Sequence, residues 1–294
     1  MLLSFDVEDW FQVENLRSLY PPNTWDEQPL RIEIGTRRVL DILRRHRVQA
    51  TFFTLGWIAE RAPQLVRDIV AEGHELASHG SSHILPIEQT PEAFRADIRA
   101  AKAKLEELSG VRIRGYRAPS FAIDDARLKI VFEEGHAYDS SHNPFALHDR
   151  YGTLRELGRE LAPGVHEVRG HGGEAHGVEL SMPLAKLGPL AVPVGGGGYF
   201  RLYPAPMFRA LARRARPAPG PVVVYLHPWE FDPDQPRAQG HLEPSHRFRH
   251  YQNLGRTAPR LDQFIASFKR RGATFSTMAA YVDALREPPT AAAS

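Results

Sequence analysis

Short apolar runs alternate along the chain with longer segments in which apolar residues recur every three or four positions. The short runs predict strands at residues 2–5, 50–55, 75–78, 113–116, 222–226 and 273–275. The longer segments predict amphipathic helices at residues 32–46, 63–71, 90–108, 124–134 and 258–271. Because strands and helices alternate, the pattern predicts an α/β fold with a mainly parallel sheet or barrel.

Residues 142–200 break this alternation. They are dense in Gly, Pro and His, which predicts an insertion of loops with short antiparallel strands. No linker-like segment divides the chain, so residues 1–285 are predicted to form a single domain. The tail REPPTAAAS at 286–294 has the composition of a disordered terminus.

Composition narrows the possible functions. The chain has 294 residues, of which 42% are hydrophobic, enough for a large core. Lys and Arg (37) nearly balance Asp and Glu (35), and the basic runs are short, so nucleic acid is not an expected partner. The absence of cysteine excludes disulfides, thiolate metal sites and a cysteine nucleophile. Any metal ion must therefore be bound by His and carboxylate side chains.

The sequence shows neither a targeting segment nor a membrane span. The first residues, MLLSF, run directly into the acidic stretch DVEDWF, and no run of about 18 apolar residues follows. We therefore expect a cytoplasmic protein. Docking onto a membrane-bound assembly would leave no mark in the composition and stays open, as does the oligomeric state.

Three acidic residues interrupt the end of the first predicted strand, in the stretch FDVEDWF. In parallel α/β folds the catalytic groups lie at the carboxyl ends of the strands, where the loops open to solvent. Strand alternation places Asp6 and Glu8 on the same side, so two carboxylates can face one pocket. Alternatively, these acids are solvated loop residues, or charges at the start of a helix near Asp9.

Two histidines follow the predicted strand at 75–78, in the stretch HGSSH. If this stretch forms one helical turn, His79 and His83 present both imidazoles on one face, as a metal site requires. Small residues between them leave room for an ion. A chance pair at this spacing is the alternative in a chain with 14 histidines.

A carboxylate would complete a site of two imidazoles and one acid, the ligand set of many hydrolytic metal centres. Glu8 and Asp9 are the candidates for this ligand. Asp6, left free of the ion, could then take a proton from the attacking water. A bound cation would explain why three acids are concentrated at one strand end.

Two further strand ends carry candidate catalytic groups. Arg117, in the stretch RAPSF, could orient a carboxylate such as Asp6, although a surface arginine is the simpler interpretation. His227 ends the strand at 222–226 and could act as a general acid, or it could be a histidine bonded to the backbone. In the glycine-rich stretch 195–200, Tyr199 or Phe200 offers a flat face for a sugar ring, although a tight loop would also explain the glycines.

Taken in order, these motifs resemble the NodB-like polysaccharide deacetylases of carbohydrate esterase family four. The opening FDVEDWFQV is similar to the branch found with bacterial exopolysaccharide and exosortase (PEP-CTERM) gene clusters. The resemblance is carried by FDVEDWFQV (5–13), TFFTLGWIAER (51–61), GHELASHGSSH (73–83), GYRAPSF (115–121), YDSS (138–141), GGGGYFRLYP (195–204), YLHPWEFDP (225–233) and RFRHYQNLGRT (247–257).

The resemblance implies a distorted (β/α) barrel with fewer than eight strands and a C-terminal extension at about 235–285. It also implies hydrolysis of N-acetyl groups on a hexosamine-containing polysaccharide or its precursor, with one divalent metal ion. Zinc is expected, with cobalt, nickel or manganese as alternatives. The implied catalytic residues are Asp6 as base, Arg117 as its orienting partner and His227 as acid. The implied metal ligands include His79 and His83, and the implied substrate contacts are Tyr116, Phe121 and Leu226.

Two departures from the family pattern matter. Val7 separates the first two acids, so Glu8 is the preferred ligand and Asp9 the fallback. The fourth motif is YDSS instead of a Trp-containing motif, which leaves Asp139 as a weak candidate for the partner of His227. The separated acids also resemble those of cyclic-imide and allantoin-type amidohydrolases, which are one alternative function. A sugar-binding assembly subunit with a vestigial metal site is another.

Overall fold

The computed structural model describes residues 1–145, 152–169, 175–215 and 220–286. The strands are β1 (Leu2–Val7), β2 (Thr51–Thr54), β3 (Glu75–Ser78), β4 (Gly115–Tyr116), β5 (Tyr138–Asp139), β6 (Glu160–Ala162), β7 (Val165–Arg169), β8 (Ala175–Leu180), β9 (Leu184–Leu187), β10 (Leu190–Pro193) and β11 (Val223–Leu226). The helices are α1 (Ile32–His46), α2 (Gly56–Arg61), α3 (Pro63–Ala71), α4 (Pro91–Ser109), α5 (Asp125–Glu133), α6 (Gly197–Leu202), α7 (Ala205–Arg214), α8 (Pro244–Tyr251), α9 (Leu254–Lys269) and α10 (Met278–Arg286).

Nine of these strands form one sheet in the order β11-β1-β2-β3-β4-β5-β8-β7-β6. The seven strands from β11 to β8 are parallel, whereas β7 and β6 are antiparallel to their neighbours. Helices connect most of the parallel strands, as βαβ crossovers require. The expected α/β fold is confirmed, and its mainly parallel sheet is consistent with a distorted (β/α) barrel. The sheet has nine strands instead of fewer than eight because the predicted insertion adds β8 and the antiparallel strands β7 and β6.

Most predicted elements agree with the structure to within a few residues, and two differ. Helix α9 begins at Leu254, four residues before the predicted start at 258, and contains Pro259. The predicted strand at 273–275 is reduced to one bridge between Ser276 and Leu2. The tail beyond Arg286 lies outside the described residues.

Strand alternation divides β1 between two cores. Phe5 and Val7 pack in the cluster beneath α1 and α9, whereas Leu2 packs on the opposite face with Met278 and other residues of α10. Asp6 shares that second face because successive strand residues point to opposite sides. The interior face of the barrel is therefore apolar at the amino ends of its strands and charged at the carboxyl ends. No helix among the described residues is long and apolar enough to cross a bilayer.

Candidate metal centre and active site

Asp6 and Arg117 form a buried ion pair at the carboxyl ends of β1 and β4. Nη1 of Arg117 lies 2.7 Å from Oδ1 of Asp6, and both side chains are almost fully buried. A buried charge is tolerated only when it is paired and hydrogen-bonded, and each of these two residues supplies that partner to the other. Asp6 also lines a cavity, where its carboxylate can meet a ligand.

Three other residues fix the orientation of Arg117. Its Nη1 donates to Oγ of Ser4 at 2.8 Å, and its Nε and Nη2 donate to the carbonyl oxygen and Oγ of Ser140 at 3.0 and 3.1 Å. Its guanidinium carbon lies 4.1 Å from the ring centroid of Phe53, a cation–π contact. Ser140 belongs to the YDSS stretch. This motif therefore fixes Arg117, and Arg117 in turn fixes Asp6.

Glu8, His79 and His83 bring three potential metal ligands together. One donor atom of each lies within 4.8 Å of the others, and all three side chains are buried. In the part of the chain that the structure describes, no other group of three or more His, Asp or Glu residues has this spacing. The group can hold a metal ion.

The donor atoms of this group fit a cation. Nδ1 of His79 donates to the carbonyl oxygen of Arg117 at 2.7 Å, which leaves Nε2 as the ligand atom. Nε2 of His83 lies 2.6 Å from Oε2 of Glu8, yet this oxygen accepts no well-directed hydrogen bond from any described residue. A buried oxygen in this state is costly unless a positive charge compensates it.

Burial and neighbouring charges set the protonation of two of these ligands. Burial lowers the pKa of His79 to about 4, so its imidazole is neutral at pH 7, as metal ligation requires. Burial opposes ionisation of Glu8, but the charges of His83 and His227 outweigh it and lower the pKa of Glu8 to about 2. The centre therefore offers an ionised carboxylate beside the neutral imidazole of His79. Burial opposes protonation of His83, but the charge of Glu8 raises its pKa, so a bound cation would replace the proton of His83.

The segment from His79 to His83 is a loop, and the helical turn suggested by its spacing is wrong. Gly80 and His83 have φ angles of +77° and +54°, which a right-handed helix does not allow. Asp97 of α4 holds the loop instead: Oδ2 accepts from the Ser81 N–H at 2.9 Å and Oδ1 accepts from Oγ of Ser82 at 2.8 Å. The two imidazoles meet because the loop is folded around Asp97.

Asp9, the alternative ligand, binds the N-terminus of α1 instead of facing the histidines. Its Oδ2 accepts from the backbone N–H groups of Arg31 and Ile32 at 2.6 and 2.8 Å, where α1 begins. Its Oδ1 accepts from the N–H of Trp10 at 2.7 Å. A negative charge at a helix N-terminus is stabilised by the unpaired N–H groups there. The structure thus places Glu8, and not Asp9, with the histidines.

His227 is held by Glu230, three residues later in the 3₁₀ turn Pro228–Phe231. Oε1 of Glu230 accepts from Nδ1 and from the backbone N–H of His227 at 2.7 and 2.9 Å. Nε2 therefore points toward Glu8, 3.3 Å from its Oε1. Burial opposes protonation of His227, but the charges of Glu8 and Glu230 raise its pKa to about 9. The suggested partner Asp139 is wrong: Glu230 takes that position.

Arg201 of α6 binds the second oxygen of Glu230. Nε of Arg201 lies 2.5 Å from Oε2 of Glu230, and both side chains are buried. Gly197, one turn earlier in α6, permits this approach because a Cβ atom there would lie 1.9 Å from Oε1 of Glu230. One glycine of the run at 195–198 is therefore needed for packing against the residue that orients His227.

Asp139 lies instead beside Glu179, and the two form a buried pair of acidic residues. Its two oxygens accept from the N–H and Oγ of Ser141 at 2.9 and 2.8 Å. Burial raises the pKa of Glu179 well above its ordinary value, and the facing charge of Asp139 adds to the rise. One proton shared by two buried carboxyls avoids two adjacent charges. The pair supports the turn that carries Ser140, the residue bonded to Arg117.

One cavity of about 370 Å³ joins the catalytic candidates. It is lined by Asp6, Glu8, His79, His83 and His227. Aromatic residues form much of the remaining wall, and they include Phe121 and Tyr199, both predicted to contact substrate. The cavity therefore combines charged groups with flat apolar faces, as saccharide sites commonly do.

Tyr116 and Leu226, the other two predicted substrate contacts, lie in the hydrophobic core. Leu226 packs in the cluster beneath the outer helices because the alternation of β11 turns it away from the interior face. Its neighbour Tyr225 lines the cavity instead. Tyr116 packs edge to face against Phe94 of α4, with ring centroids 6.0 Å apart.

Sequence reasoning missed several residues of this site. They are Glu14, Arg201, Tyr225, Trp229, Glu230, Phe248 and Arg249. Glu230 had a local signal, because an acid three residues after His227 can reach back across a tight turn. Arg201 had none, since it is 29 residues from Glu230 in sequence.

Two family models match successive parts of the chain. Residues 23–138 match the family model described as Polysaccharide deacetylase, and residues 140–283 match the model described as Domain of unknown function (DUF3473). The chain thus contains a polysaccharide deacetylase domain. Asp6 and Glu8 precede the first match, the histidine loop and Arg117 lie within it, and His227 lies in the second. The candidate site is therefore assembled across the boundary between the two matches.

Curated relatives match parts of the chain. It is 34% identical to a peptidoglycan-N-acetylglucosamine deacetylase of Bacillus cereus over 101 residues, covering 34% of this chain and 47% of that protein. It is 48% identical to a chitooligosaccharide deacetylase of Sinorhizobium fredii over 60 residues, covering 20% of this chain and 27% of that protein. These matches span less than half the length of each relative.

A solved structure shares the fold over the whole chain. A Mycobacterium smegmatis protein assigned as a polysaccharide deacetylase superposes with a TM-score of 0.63 and 21% identity, covering 100% of this chain and 93% of that one. This likeness establishes the fold.

Proposed function

We propose that residues 1–285 form one metal-dependent hydrolase that removes N-acetyl groups from a hexosamine-containing polysaccharide or its precursor. The observation that carries this proposal is the convergence of Asp6, His227 and the Glu8, His79 and His83 group on one cavity. The names of the matched relatives, which are N-acetylglucosamine and chitooligosaccharide deacetylases, support an N-acetylated sugar as substrate.

Glu8, His79 and His83 would hold one divalent ion, and zinc suits a ligand set of two imidazoles and one carboxylate. When bound, such an ion polarises a carbonyl oxygen and lowers the pKa of water. Cobalt, nickel and manganese accept similar ligands and are alternatives. Asp97 would act indirectly, by holding the loop that carries both histidines.

Asp6 acts as the general base. Arg117 binds its Oδ1, which leaves the other carboxylate oxygen to accept a proton from the attacking water. The pairing fixes the direction of the carboxylate, so the base is oriented before substrate binds. Ser4 and Ser140 contribute by fixing Arg117.

His227 acts as the general acid. Glu230 holds Nδ1, so Nε2 is the nitrogen that faces the cavity and delivers a proton. As the carbonyl carbon–nitrogen bond of the acetamide breaks, that proton goes to the amine nitrogen while the water oxygen stays on the acetyl carbon. The products are acetate and a free hexosamine amine.

Acetate release from N-acetylglucosamine oligomers, a native exopolysaccharide and cyclic imides, measured after metal reconstitution, tests this proposal. We expect release from saccharides, and a drop of roughly 10² to 10⁴ in kcat for Asp6→Asn with metal still bound. Wild-type turnover by that variant would disprove the assignment of the base. Turnover of imides alone would favour a small-ring amidohydrolase. The exposed Phe248 and Leu202 at the cavity favour an extended saccharide.

A further inference from the structure

Helix α8 and the residues after it, RFRHYQN at 247–253, divide into an inner and an outer face. His250 is buried and stacks on Trp229, with ring centroids 4.4 Å apart. The hydroxyl of Tyr251 accepts a hydrogen bond from the N–H of Ala238 at 2.6 Å. Phe248 and Arg249 lie on the outer face and line the cavity. The inner residues support the site, and the outer two are available to a ligand.

Phe248 presents an apolar ring to solvent beside the catalytic cavity. It is 58% exposed, and it is the one aromatic residue among the exposed large hydrophobic side chains of the described residues. Leu202, also at the cavity, is 46% exposed. An exposed aromatic ring next to a pocket is a common feature of sites that bind the face of a sugar.

Arg249 adds a positive charge at the same place. It is exposed and lines the cavity, and within the described residues no carboxylate forms an ion pair with it. Arg201 also lines the cavity, but Glu230 and backbone carbonyls occupy its guanidinium. Arg249 is thus the arginine at this cavity whose guanidinium remains available for an anionic ligand.

The acids of the cavity have other partners. Asp6 pairs with Arg117, and Glu8 belongs to the metal-binding group. Glu14 lies 3.5 Å from Arg17. None of these contacts involves Arg249, so an anion from the substrate would not displace an existing ion pair.

Arg201 also fixes the backbone that carries Arg249. Its Nη2 donates to the carbonyl oxygen of Arg249 at 2.8 Å, and its Nη1 donates to those of His250 and Gln252 at 2.9 and 2.8 Å. The C-terminal turn of α8 is therefore anchored through a buried side chain. A fixed backbone lowers the entropy cost of binding a ligand with the side chains above it.

We propose that Phe248 and Arg249 form a subsite for an anionic saccharide unit next to the N-acetylated sugar. Phe248 stacks on the sugar ring, and the planar guanidinium of Arg249 binds a carboxylate or phosphate on it. This proposal rests on the proposed function and narrows its substrate class to acidic glycans or phosphate-bearing saccharide precursors. Neutral chito-oligosaccharides would then bind at the catalytic groups and stack on Phe248, but they would lack the contact with Arg249.

Binding measured by calorimetry on the metal-loaded chain tests the subsite without requiring turnover. The probes are a neutral chitotetraose, a hyaluronan tetrasaccharide, which carries carboxylates, and UDP-N-acetylglucosamine, which carries phosphates. We expect at least one anionic probe to bind about fivefold more tightly than chitotetraose, and Arg249→Ala to remove that difference, as expected for one exposed ion pair. The preferred anionic probe distinguishes carboxylate from phosphate.

Arg247→Ala is the matched control, since it removes the same charge from the same helix at a residue outside the cavity lining. It should keep the preference for the anionic probe, and Arg249→Lys should keep part of it. Phe248→Ala should weaken the binding of neutral and anionic saccharides equally, because stacking on a sugar face does not depend on charge.

Three results would overturn the subsite. They are equal affinity of the wild type for neutral and anionic probes, an equal loss of the preference in Arg247→Ala and Arg249→Ala, and dimerisation through Phe248 that blocks saccharide binding. Acetate release is measured in parallel. A chain that binds anionic probes through Arg249 but releases no acetate would refute the proposed function and leave the subsite standing.

Discussion

Arg201 and Glu230 form a fully buried ion pair, with Nε of the arginine 2.5 Å from Oε2 of the glutamate. The other oxygen of Glu230 binds Nδ1 of His227, so the three residues form a continuous chain from the protein interior to the cavity. Breaking a buried pair leaves an uncompensated charge. The position of His227 therefore depends on residues that do not reach the reacting atoms.

Replacing Glu230 should impair catalysis more than substrate binding. Glu230→Gln keeps the shape but weakens the bond to Nδ1, and we expect kcat to fall by about 10² with KM little changed. Glu230→Asp should recover part of the loss. Glu33→Gln, at an exposed ion pair on α1, is the control and should behave as wild type. An unchanged kcat for folded Glu230→Gln would show that His227 needs no carboxylate.

The close packing of Gly197 gives a second prediction. Gly197→Ala places a methyl group where Oε1 of Glu230 lies, so we expect lower kcat and lower thermal stability. Gly198→Ala is the matched control, because a Cβ there meets no described atom within 4 Å. This control should be stabilised by up to about 1 kcal/mol, since alanine favours the helix over glycine. If Gly197→Ala and Gly198→Ala had the same kcat and the same thermal stability, close packing of Gly197 against Glu230 would not be needed.

Asp97 should control metal affinity although it is not a ligand. Asp97→Ala removes the bonds that hold the loop between the two histidines, and we expect a loss of affinity of roughly 10-fold to 100-fold. Competition with a chelator measures it. Glu107→Gln, on the exposed face of the same helix, is the control. Unchanged affinity in Asp97→Ala would mean that the histidines hold their positions without it.

His136 should make stability depend on pH. It is buried with Nδ1 bonded to the carbonyl oxygen of Val131 at 3.1 Å, and burial lowers its pKa to about 4. The unfolded chain, where the pKa is near 6.5, binds more protons between these values. Stability is therefore lost as pH falls from about 6.5 to 4, by up to about 1.4 kcal/mol per pH unit.

Urea unfolding across that range measures the effect. His136→Phe removes the titrating group, so its free energy of unfolding should fall less steeply with pH than that of the wild type. His241→Phe, at a side chain that is 90% exposed, should leave the slope unchanged. Parallel curves for wild type and His136→Phe would show that His136 is not held neutral by the fold.

The fold was largely predictable because its determinants are local. Buried parallel strands are continuous apolar runs, and the helices carry periodic apolar faces with caps such as Thr90, whose side chain accepts from the N–H of Ala93. The errors arose where a local pattern had two solutions. The spacing of His79 and His83 is compatible with one helical turn, but the positive φ of Gly80 and the hydrogen bonds of Asp97 fold the segment into a loop.

The site was predictable mainly where its residues end or closely follow strands. Asp6, His79, Arg117 and His227 each follow or end a parallel strand, and the topology brings such positions together. Arg201 and Arg249 come from helices whose positions depend on tertiary packing. Both lie in motifs that carry the family resemblance, but no local pattern assigns either of them a role.

The number of metal ions bound per chain tests the central claim most directly. After reconstitution and removal of excess metal, the wild type should hold one equivalent of a divalent ion, and Asp6→Asn should also hold one. The double variant His79→Gln with His83→Gln should hold none while remaining folded. Retention of one tightly bound equivalent by that double variant, or none by the wild type, would contradict the assignment of Glu8, His79 and His83 as the metal centre.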